Sequence, residues 1–203
     1  ELLKKAADEL KLGNITDTAV LDAELILLHT MSEYGRKLDR LKLITQPDAP
    51  VEEQIADRYL ELISERNKGK PVQYITGRQE FMGIDLYVKE GVLIPRPDTE
   101  IVVEKVIELA AGTKGAEALN IIDMCTGTGA IAVSLAMNLK DSKVYAVDIS
   151  ETALECCGVN VERLGLNDRV EIIRSDLFTS VHEELLGQID IIVSNPPYIP
   201  RDE

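Results

Sequence analysis

From Leu119 onward, short apolar runs typical of strands alternate with longer runs typical of helices. The strand-like runs cover residues 119–123, 143–147, 170–174 and 189–193, and the helix-like runs cover residues 130–139 and 152–164. Strands that alternate with helices are typical of right-handed βαβ units, whose strands join into a parallel sheet. We therefore predict an α/β fold with a parallel sheet covered on both faces.

The first 70 residues have a helical pattern instead. Leu21, Leu25, Leu28 and Ile26 have three- and four-residue spacing, and Ile55 and Tyr59 do the same after Pro50. This predicts a small helical bundle over residues 1–70. The mixture of Tyr, Phe, Ile and Val with glycine over residues 71–97 predicts a β-hairpin linker, which leaves 98–203 as the second domain.

A second helix start is indicated just after this linker. The segment Pro95-Arg96-Pro97-Asp98-Thr99-Glu100 precedes a helix-like run from Ile101 to Ala111, with Gly112 as its end. Asp98 is a good N-cap, and Glu100 falls in a first turn, where acidic side chains are favoured. Ordinary helix initiation is thus one explanation of this segment.

The charge of the chain argues against a nucleic-acid partner. The net charge is −14, and residues 71–203 hold 11 basic and 22 acidic residues. Phosphate contacts need an excess of Lys and Arg, so we predict that nucleic acid is not bound directly.

The cysteines and the apolar segments narrow the chemistry further. Cys125, Cys156 and Cys157 are odd in number and have no neighbouring residues at the spacing of a zinc site, so we predict reduced thiols and no metal. No apolar run is long enough to span a bilayer. We expect a cytoplasmic, monomeric protein that does not bind membranes.

A glycine-containing turn follows the first strand of the predicted sheet. The sequence Asp123-Met124-Cys125-Thr126-Gly127-Thr128-Gly129 leads directly into a helix. Glycine allows the backbone to approach a ligand closely, and ligands bind at the carboxyl edge of such sheets. The spacing matches neither the dinucleotide motif G-x-G-x-x-G nor a P-loop, and a purely structural turn is the alternative.

Acidic residues follow the next two strands. Asp148 lies 21 residues after Gly127, where a carboxylate can accept both hydroxyls of a ribose; the alternative role is an N-cap, for which Ser150 is better placed. After the third strand, Asp176 can accept a hydrogen bond from an adenine amino group, while Leu177 or Phe178 covers the ring. Without the two preceding elements, this segment would be an ordinary turn.

The fourth strand ends in Ser194-Asn195-Pro196-Pro197-Tyr198, the most specific motif of the chain. Successive prolines fix φ and remove N–H donors, so the loop presents rigid carbonyl acceptors beside the Asn195 amide and an aromatic ring. A surface turn would not require this combination.

With these motifs in this order, the chain resembles S-adenosylmethionine-dependent methyltransferases that modify a planar nitrogen. It is more narrowly similar to the HemK/PrmC family. The similarity rests on four segments: 72–77 (VQYITG), 81–83 (FMG), 94–100 (IPRPDTE) and 193–200 (VSNPPYIP). The family methylates the glutamine side chain in the Gly-Gly-Gln motif of peptide chain release factors. Many members have Gly where this chain has Cys125, a difference that narrows the pocket slightly.

The resemblance implies a Rossmann-like class I methyltransferase sheet after a helical bundle that helps to hold the protein substrate. It implies S-adenosyl-L-methionine as cofactor, S-adenosyl-L-homocysteine as product, and release factors as partners. The implied cofactor-binding residues are Cys125, Thr126, Gly127, Thr128, Gly129, Asp148, Asp176, Leu177 and Asn195. The implied catalytic residues are Asn195, Pro196 and Tyr198, which with Pro197 also shape the substrate site.

Two further interpretations follow. Thr99 and Glu100 lie in a segment shared with the family and are expected to help close the pocket. The alternatives are an adenine amino-methyltransferase acting on DNA or RNA, because Asn-Pro-Pro-Tyr can also hold the amine of a flipped base, and a non-catalytic cofactor-binding module.

The resemblance also bears on length. Family members continue for several more strands, which implies that the sheet is truncated here and that the fourth strand is an exposed edge. If no further chain follows residue 203, we expect weak cofactor binding and slow turnover.

Overall fold

The computed structural model describes residues 1–46, 49–112 and 118–197. These residues form two compact units, one over Glu1–Gly77 and the other from Arg78 onward. No helix in the described ranges is both long enough and apolar enough to cross a membrane.

The first unit is helical, which confirms the predicted bundle. Its helices are α1 (Leu2–Leu12), α2 (Ala19–Glu33), α3 (Arg40–Thr45), α4 (Glu53–Asn67) and α5 (Val72–Thr76). The buried face of α2 differs from the predicted one, because Leu21 and Leu25 are exposed. Small residues, Ala19 and Ala23, lie in the core instead and allow the helices to approach closely.

Polar contacts also hold the bundle together. The buried hydroxyl of Tyr59 donates to the Ala23 carbonyl (3.1 Å), and the guanidinium of Arg66 donates to the buried Asp22 carboxylate (2.7 Å).

The predicted strand-like character of the chain from Val72 is wrong, because Val72–Thr76 form α5. Pro71 precedes this short helix, and Gly77, at φ 68°, ends it in the left-handed region. The proline and the glycine therefore limit the helix to these five residues.

The second unit begins with the predicted hairpin. Strands β1 (Arg78–Phe81) and β2 (Ile84–Tyr87) pair antiparallel, and Met82 and Gly83 between them have φ of 53° and 73°. The remaining elements are α6 (Asp98–Gly112), β3 (Asn120–Met124), α7 (Ala130–Asn138), β4 (Lys143–Asp148), α8 (Glu151–Arg163), β5 (Val170–Arg174), a short 3₁₀-helix (Glu183–Leu185) and β6 (Ile191–Ser194). Asp98 is the first residue of α6 rather than the predicted N-cap.

The four strands from β3 to β6 form one parallel sheet in the order β5-β4-β3-β6, which confirms the predicted α/β fold. In the described residues the two faces are covered differently. The face that includes Ile121 and Val144 packs against α6, α7 and α8, whereas the face that includes Ile122 and Tyr145 contacts residues of the segment 181–189. The sheet is therefore covered on both faces, as predicted, but in the part of the chain described α6, α7 and α8 all lie on one of them.

Candidate cofactor and amide site

A cavity of about 280 Å³ lies at the carboxyl end of β3 in the second unit. Its lining comes from residues of the segments 91–96, 125–131, 148–153 and 195–197, together with Thr99 of α6. In an open parallel sheet, the crevice beyond the carboxyl ends of the strands is where ligands bind. The position of the cavity matches this rule.

The predicted glycine turn forms one wall of the cavity. Cys125, Gly127 and Gly129 have φ of 63°, 56° and 79°, so three of five successive residues are left-handed. The Thr126 hydroxyl donates to Asp123 Oδ2 (2.6 Å), and the Thr126 N–H donates to the Val147 carbonyl of β4 (3.0 Å). The turn is therefore fixed by contacts on both sides before any ligand binds.

Asp123, at the base of the turn, is fully buried. Its Oδ2 also accepts the Ala132 N–H (3.1 Å), and its Oδ1 has no hydrogen-bond partner among the residues described. Burial raises the pKa of this carboxyl, and the charge of nearby Asp148 adds to the increase. Together they outweigh the hydrogen bonds from Thr126 and Ala132 and bring the pKa from 3.8 to about 7. The hydrogen bonds to Asp123 stabilise the turn, but burial makes the ionised form of this carboxyl unfavourable.

Asp148 lies at the end of β4 and also lines the cavity, next to the glycine turn. Its Oδ2 accepts the Gly127 N–H (2.9 Å) and its Oδ1 accepts the Ser150 N–H (3.0 Å). Each carboxylate oxygen has a second lone pair for a ligand hydroxyl. Ser150 caps α8, because its Oγ accepts the Ala153 N–H (3.3 Å), so the helix does not require Asp148 as its cap.

The loop after β6 brings the most specific motif to the same cavity. Asn195 and Pro197 line it, while Pro196 between them is exposed. Asn195 Nδ2 donates to Thr99 Oγ1 (2.8 Å), and the Ser194 hydroxyl donates to the Met124 carbonyl (2.6 Å). Tyr198, which the sequence also assigns to the site, lies outside the described residues.

The predicted residues are not all in the cavity. It contains Cys125, Thr126, Gly127, Thr128, Asp148, Asn195 and Pro197. Gly129 does not line the cavity but lies close to α8, so that a Cβ at this position would be 2.6 Å from Cys157 Sγ. Asp176 and Leu177 are exposed and do not line it, although the Ser175 N–H donates to the Asp148 carbonyl (3.0 Å) and so places their turn beside β4. Their proposed contact with adenine stays a prediction.

Asn160 of α8 has a role that the sequence did not reveal. This buried side chain donates to the Tyr87 and Thr128 carbonyls (2.9 Å each), and its Oδ1 accepts the Tyr87 N–H (2.7 Å). One carboxamide thus ties the end of the hairpin to the glycine turn. Its partners are backbone groups distant in the chain, so no local pattern could have indicated them.

The residues present fit S-adenosylmethionine, the cofactor that the sequence resemblance implies. Asp148 offers carboxylate oxygens for ribose hydroxyls, and the exposed Ile149 and Leu93 add apolar walls. Gly127, in the left-handed region, presents no side chain to the cavity, so a ligand can approach the backbone there. Among the residues described, no three His, Cys, Asp or Glu side chains lie close enough together to hold a metal ion.

The thiol groups are poorly ionised. Cys125 lines the cavity, and burial followed by the charge of Asp148 raises the pKa of its thiol. Burial raises the pKa of Cys156 to about 11 and that of Cys157 to about 12. Because a thiolate is the reactive form of cysteine, these groups serve as packing or lining rather than as nucleophiles.

Comparison with known families gives two matches along the chain. The family described as PrmC N-terminal domain matches residues 1–77, and the family described as Methyltransferase small domain matches residues 101–202. Together they cover both units.

Curated relatives carry the name release factor glutamine methyltransferase. The protein from Clostridium acetobutylicum is 42% identical over all of this chain and 68% of its own length. The protein from Leptospira interrogans is 40% identical over 98% of this chain and 66% of its own, and that from Clostridium botulinum is 38% identical over 90% and 61%. The chain therefore spans about two thirds of the length of these relatives.

Solved structures show a weaker likeness. A putative S-adenosyl-L-methionine-dependent methyltransferase from Methanococcus maripaludis is 31% identical, with a TM-score of 0.40 over 46% of this chain and 40% of that chain. The N-terminal domain of human METTL16 in complex with SAH is 20% identical, with a TM-score of 0.49 over 73% and 55%. Likeness at these TM-scores supports no argument about function.

Proposed function

Because the chain belongs to the release factor glutamine methyltransferase family, we propose that it methylates the glutamine side-chain nitrogen in the Gly-Gly-Gln motif of peptide chain release factors, with S-adenosylmethionine as the donor. The observation that most supports this proposal is the cavity that contains Asn195 together with the glycine turn and Asp148. A cytoplasmic location follows from the proposal, since release factors act at the ribosome.

When bound, S-adenosylmethionine supplies a methyl group on a sulfonium, which makes that carbon electrophilic. The turn 125–129 would border its methionine part and Asp148 would accept the ribose hydroxyls. The Gly127 N–H donates to Asp148, so the turn and this carboxylate are held next to each other. Asp176 and Leu177 remain the candidates for the adenine.

An amide nitrogen is a poor nucleophile, because its lone pair is delocalised into the carbonyl group. In our proposal, Asn195 Oδ1 and the Pro196 carbonyl each accept one N–H of the substrate amide and so orient its nitrogen. Fixed acceptors of this kind lower a barrier by positioning and by electrostatic preorganisation. A strong general base is not required, since an alkylated amide cation is acidic enough to lose its proton to water.

The substrate assignment can be tested directly. The purified chain is incubated with methyl-labelled S-adenosylmethionine and a release factor, and the label is mapped by mass spectrometry. We expect the label on the glutamine of the Gly-Gly-Gln motif and none on a release factor in which that glutamine is replaced by alanine. Label found only on nucleic acid, or on other residues, would reject the proposal.

Asn195→Ala is the matched enzyme variant. It removes one of the two acceptors for the substrate amide, so we expect turnover to fall by at least about 100-fold. The affinity for S-adenosylhomocysteine, measured by calorimetry, should stay within about twofold, since the ribose and methionine contacts are intact. An active Asn195→Ala protein would contradict the proposed role of this residue.

A further inference from the structure

One hydrogen bond in the cavity joins two residues that lie 96 positions apart in the chain. Asn195 Nδ2 donates to Thr99 Oγ1 over 2.8 Å, and both residues line the cavity. Thr99 belongs to the first turn of α6, whereas Asn195 follows β6. The contact therefore connects a helix start to the loop that carries the proposed substrate acceptors.

Thr99 is a fixed point in the second unit. Thr99 is only 7% exposed, and its N–H donates to the Arg96 carbonyl (3.0 Å). The neighbouring Glu100 accepts the Met82 N–H of the hairpin turn (2.9 Å), which anchors the same helical turn from another side. A β-branched side chain is also stiff at χ1, so the position of the Thr99 hydroxyl is well defined.

Asn195 needs such an anchor. The torsion that turns its carboxamide is broad and roughly two-fold, so the oxygen and the nitrogen can exchange places at little cost in an isolated side chain. With Nδ2 directed to Thr99, Oδ1 is the atom that the carboxamide offers to a donor. The reversed orientation would direct two N–H donors at the N–H groups of a substrate amide and would repel them.

We propose that Thr99 is a positioning residue: its Oγ1 accepts an N–H of Asn195 Nδ2 and so holds the carboxamide with Oδ1 available to accept the N–H of the substrate amide. The proposal rests on the proposed function of Asn195, and it adds a role for Thr99 beyond closing the pocket. Its hydroxyl acts only through Asn195 and forms no bond with the reacting atoms.

The first test compares Thr99→Val, which keeps the shape but removes the hydroxyl, with Thr99→Ser, which keeps the hydroxyl. We expect kcat for methyl transfer to fall about 10- to 100-fold in Thr99→Val, with the KM for the cofactor changed less than about twofold. Thr99→Ser should retain activity within about threefold of the unmodified chain. Thr30→Val is the control for loss of a buried helical hydroxyl, since the Thr30 hydroxyl donates to the Ile26 carbonyl in the first unit.

The second test needs no turnover. The side-chain amide of Asn195 is followed by ¹⁵N nuclear magnetic resonance and assigned by its disappearance in Asn195→Asp. Its hydrogens should exchange with water at least about tenfold more slowly than those of the exposed Asn167, and this protection should be lost in Thr99→Val and kept in Thr99→Ser.

The outcomes separate the two proposals. An active Asn195→Ala protein rejects the proposed function of Asn195. An inactive Asn195→Ala protein combined with a fully active Thr99→Val protein rejects only the role of Thr99. Asn195 hydrogens that exchange as fast as those of Asn167 in the unmodified chain also reject it, and this result stands even if Thr99→Val fails to fold.

Discussion

The two turns proposed to contact the cofactor are held in different ways. The turn after β3 is fixed by two buried side chains: Asp123 accepts the Thr126 hydroxyl, and Asn160 donates to the Thr128 carbonyl. The turn after β5 is held by local bonds, in which the Asp176 carbonyl accepts the Thr179 N–H (3.1 Å) and hydroxyl (2.8 Å), and it leaves Leu177 and Phe178 more than half exposed. The first turn is preorganised for a ligand, whereas the second can adjust to one.

The largest effect expected from this difference concerns Gly129. An alanine Cβ there would lie 2.6 Å from Cys157 Sγ on a backbone with φ of 79°, so Gly129→Ala should lower the free energy of unfolding by about 4–5 kcal/mol. Gly165→Ala is the control, with φ of 66° and open space around it, and should cost about 1 kcal/mol. Urea denaturation measures both, and equal losses would show that the turn is not tightly packed.

The next effect is a pH dependence from Asp123. Its pKa is about 7 in the folded chain and near 3.8 when exposed, so between these values the folded state binds more protons than the unfolded state. The contribution of Asp123 to the free energy of unfolding should therefore be fully present below about pH 4, fall by roughly 3–4 kcal/mol as the pH rises to 7, and then level off.

Asp123→Asn provides the matched comparison for this pH dependence. The variant cannot ionise at this position, so its free energy of unfolding should change less than that of the unmodified chain over the same pH range. Denaturation at pH 4.5, 6 and 8 distinguishes the two. Parallel pH profiles would mean that Asp123 titrates normally in the folded state.

A somewhat smaller loss is expected on removing the support behind the turn. Asn160→Ala removes two hydrogen bonds to the part-buried backbone of Tyr87 and one to the buried Thr128 carbonyl, and should destabilise the chain by about 2–3 kcal/mol. Asn138→Ala, which removes a single bond to the Ser134 carbonyl, should cost less than about 1 kcal/mol. A similar loss in both variants would argue against a special role for Asn160.

The smallest effect belongs to the turn after β5. Asp176→Ala removes an exposed side chain and should change the free energy of unfolding by less than about 0.5 kcal/mol. If Asp176 accepts a hydrogen bond from adenine, the dissociation constant of S-adenosylhomocysteine should rise about fivefold in calorimetry. Unchanged affinity would remove Asp176 from the site and leave Asp148 as the acidic contact.

The sequence predicts the sheet well because its strands are short, largely apolar runs that alternate with helix-like segments. The run 170–174 matches β5 in full, and the other strands differ by one or two residues at their ends. The strand prediction for Val72–Thr76 is wrong because four of these five residues are β-branched or aromatic, which favours a strand. A run of five residues is too short for periodicity to separate a helical turn from a strand.

The candidate site was predicted to the extent that its residues follow strand ends. Gly127, Asp148 and Asn195 could be assigned because the carboxyl ends of parallel strands meet at one edge. Asn160 and the bond between Thr99 and Asn195 could not, since they depend on contacts between groups 32 to 96 residues apart. Such contacts have no signature in a single sequence.

The pairing of β3 with β6 also sets an order of events during synthesis. Ile121 pairs with Ile191, so 70 residues must emerge from the ribosome before that edge of β3 finds its partner, whereas Val144 on the other edge arrives much sooner. At roughly 5–20 residues per second, the wait is roughly 4–14 s. During that interval the nascent chain has an open strand edge beside an unfinished cavity, a period in which chaperones are most useful.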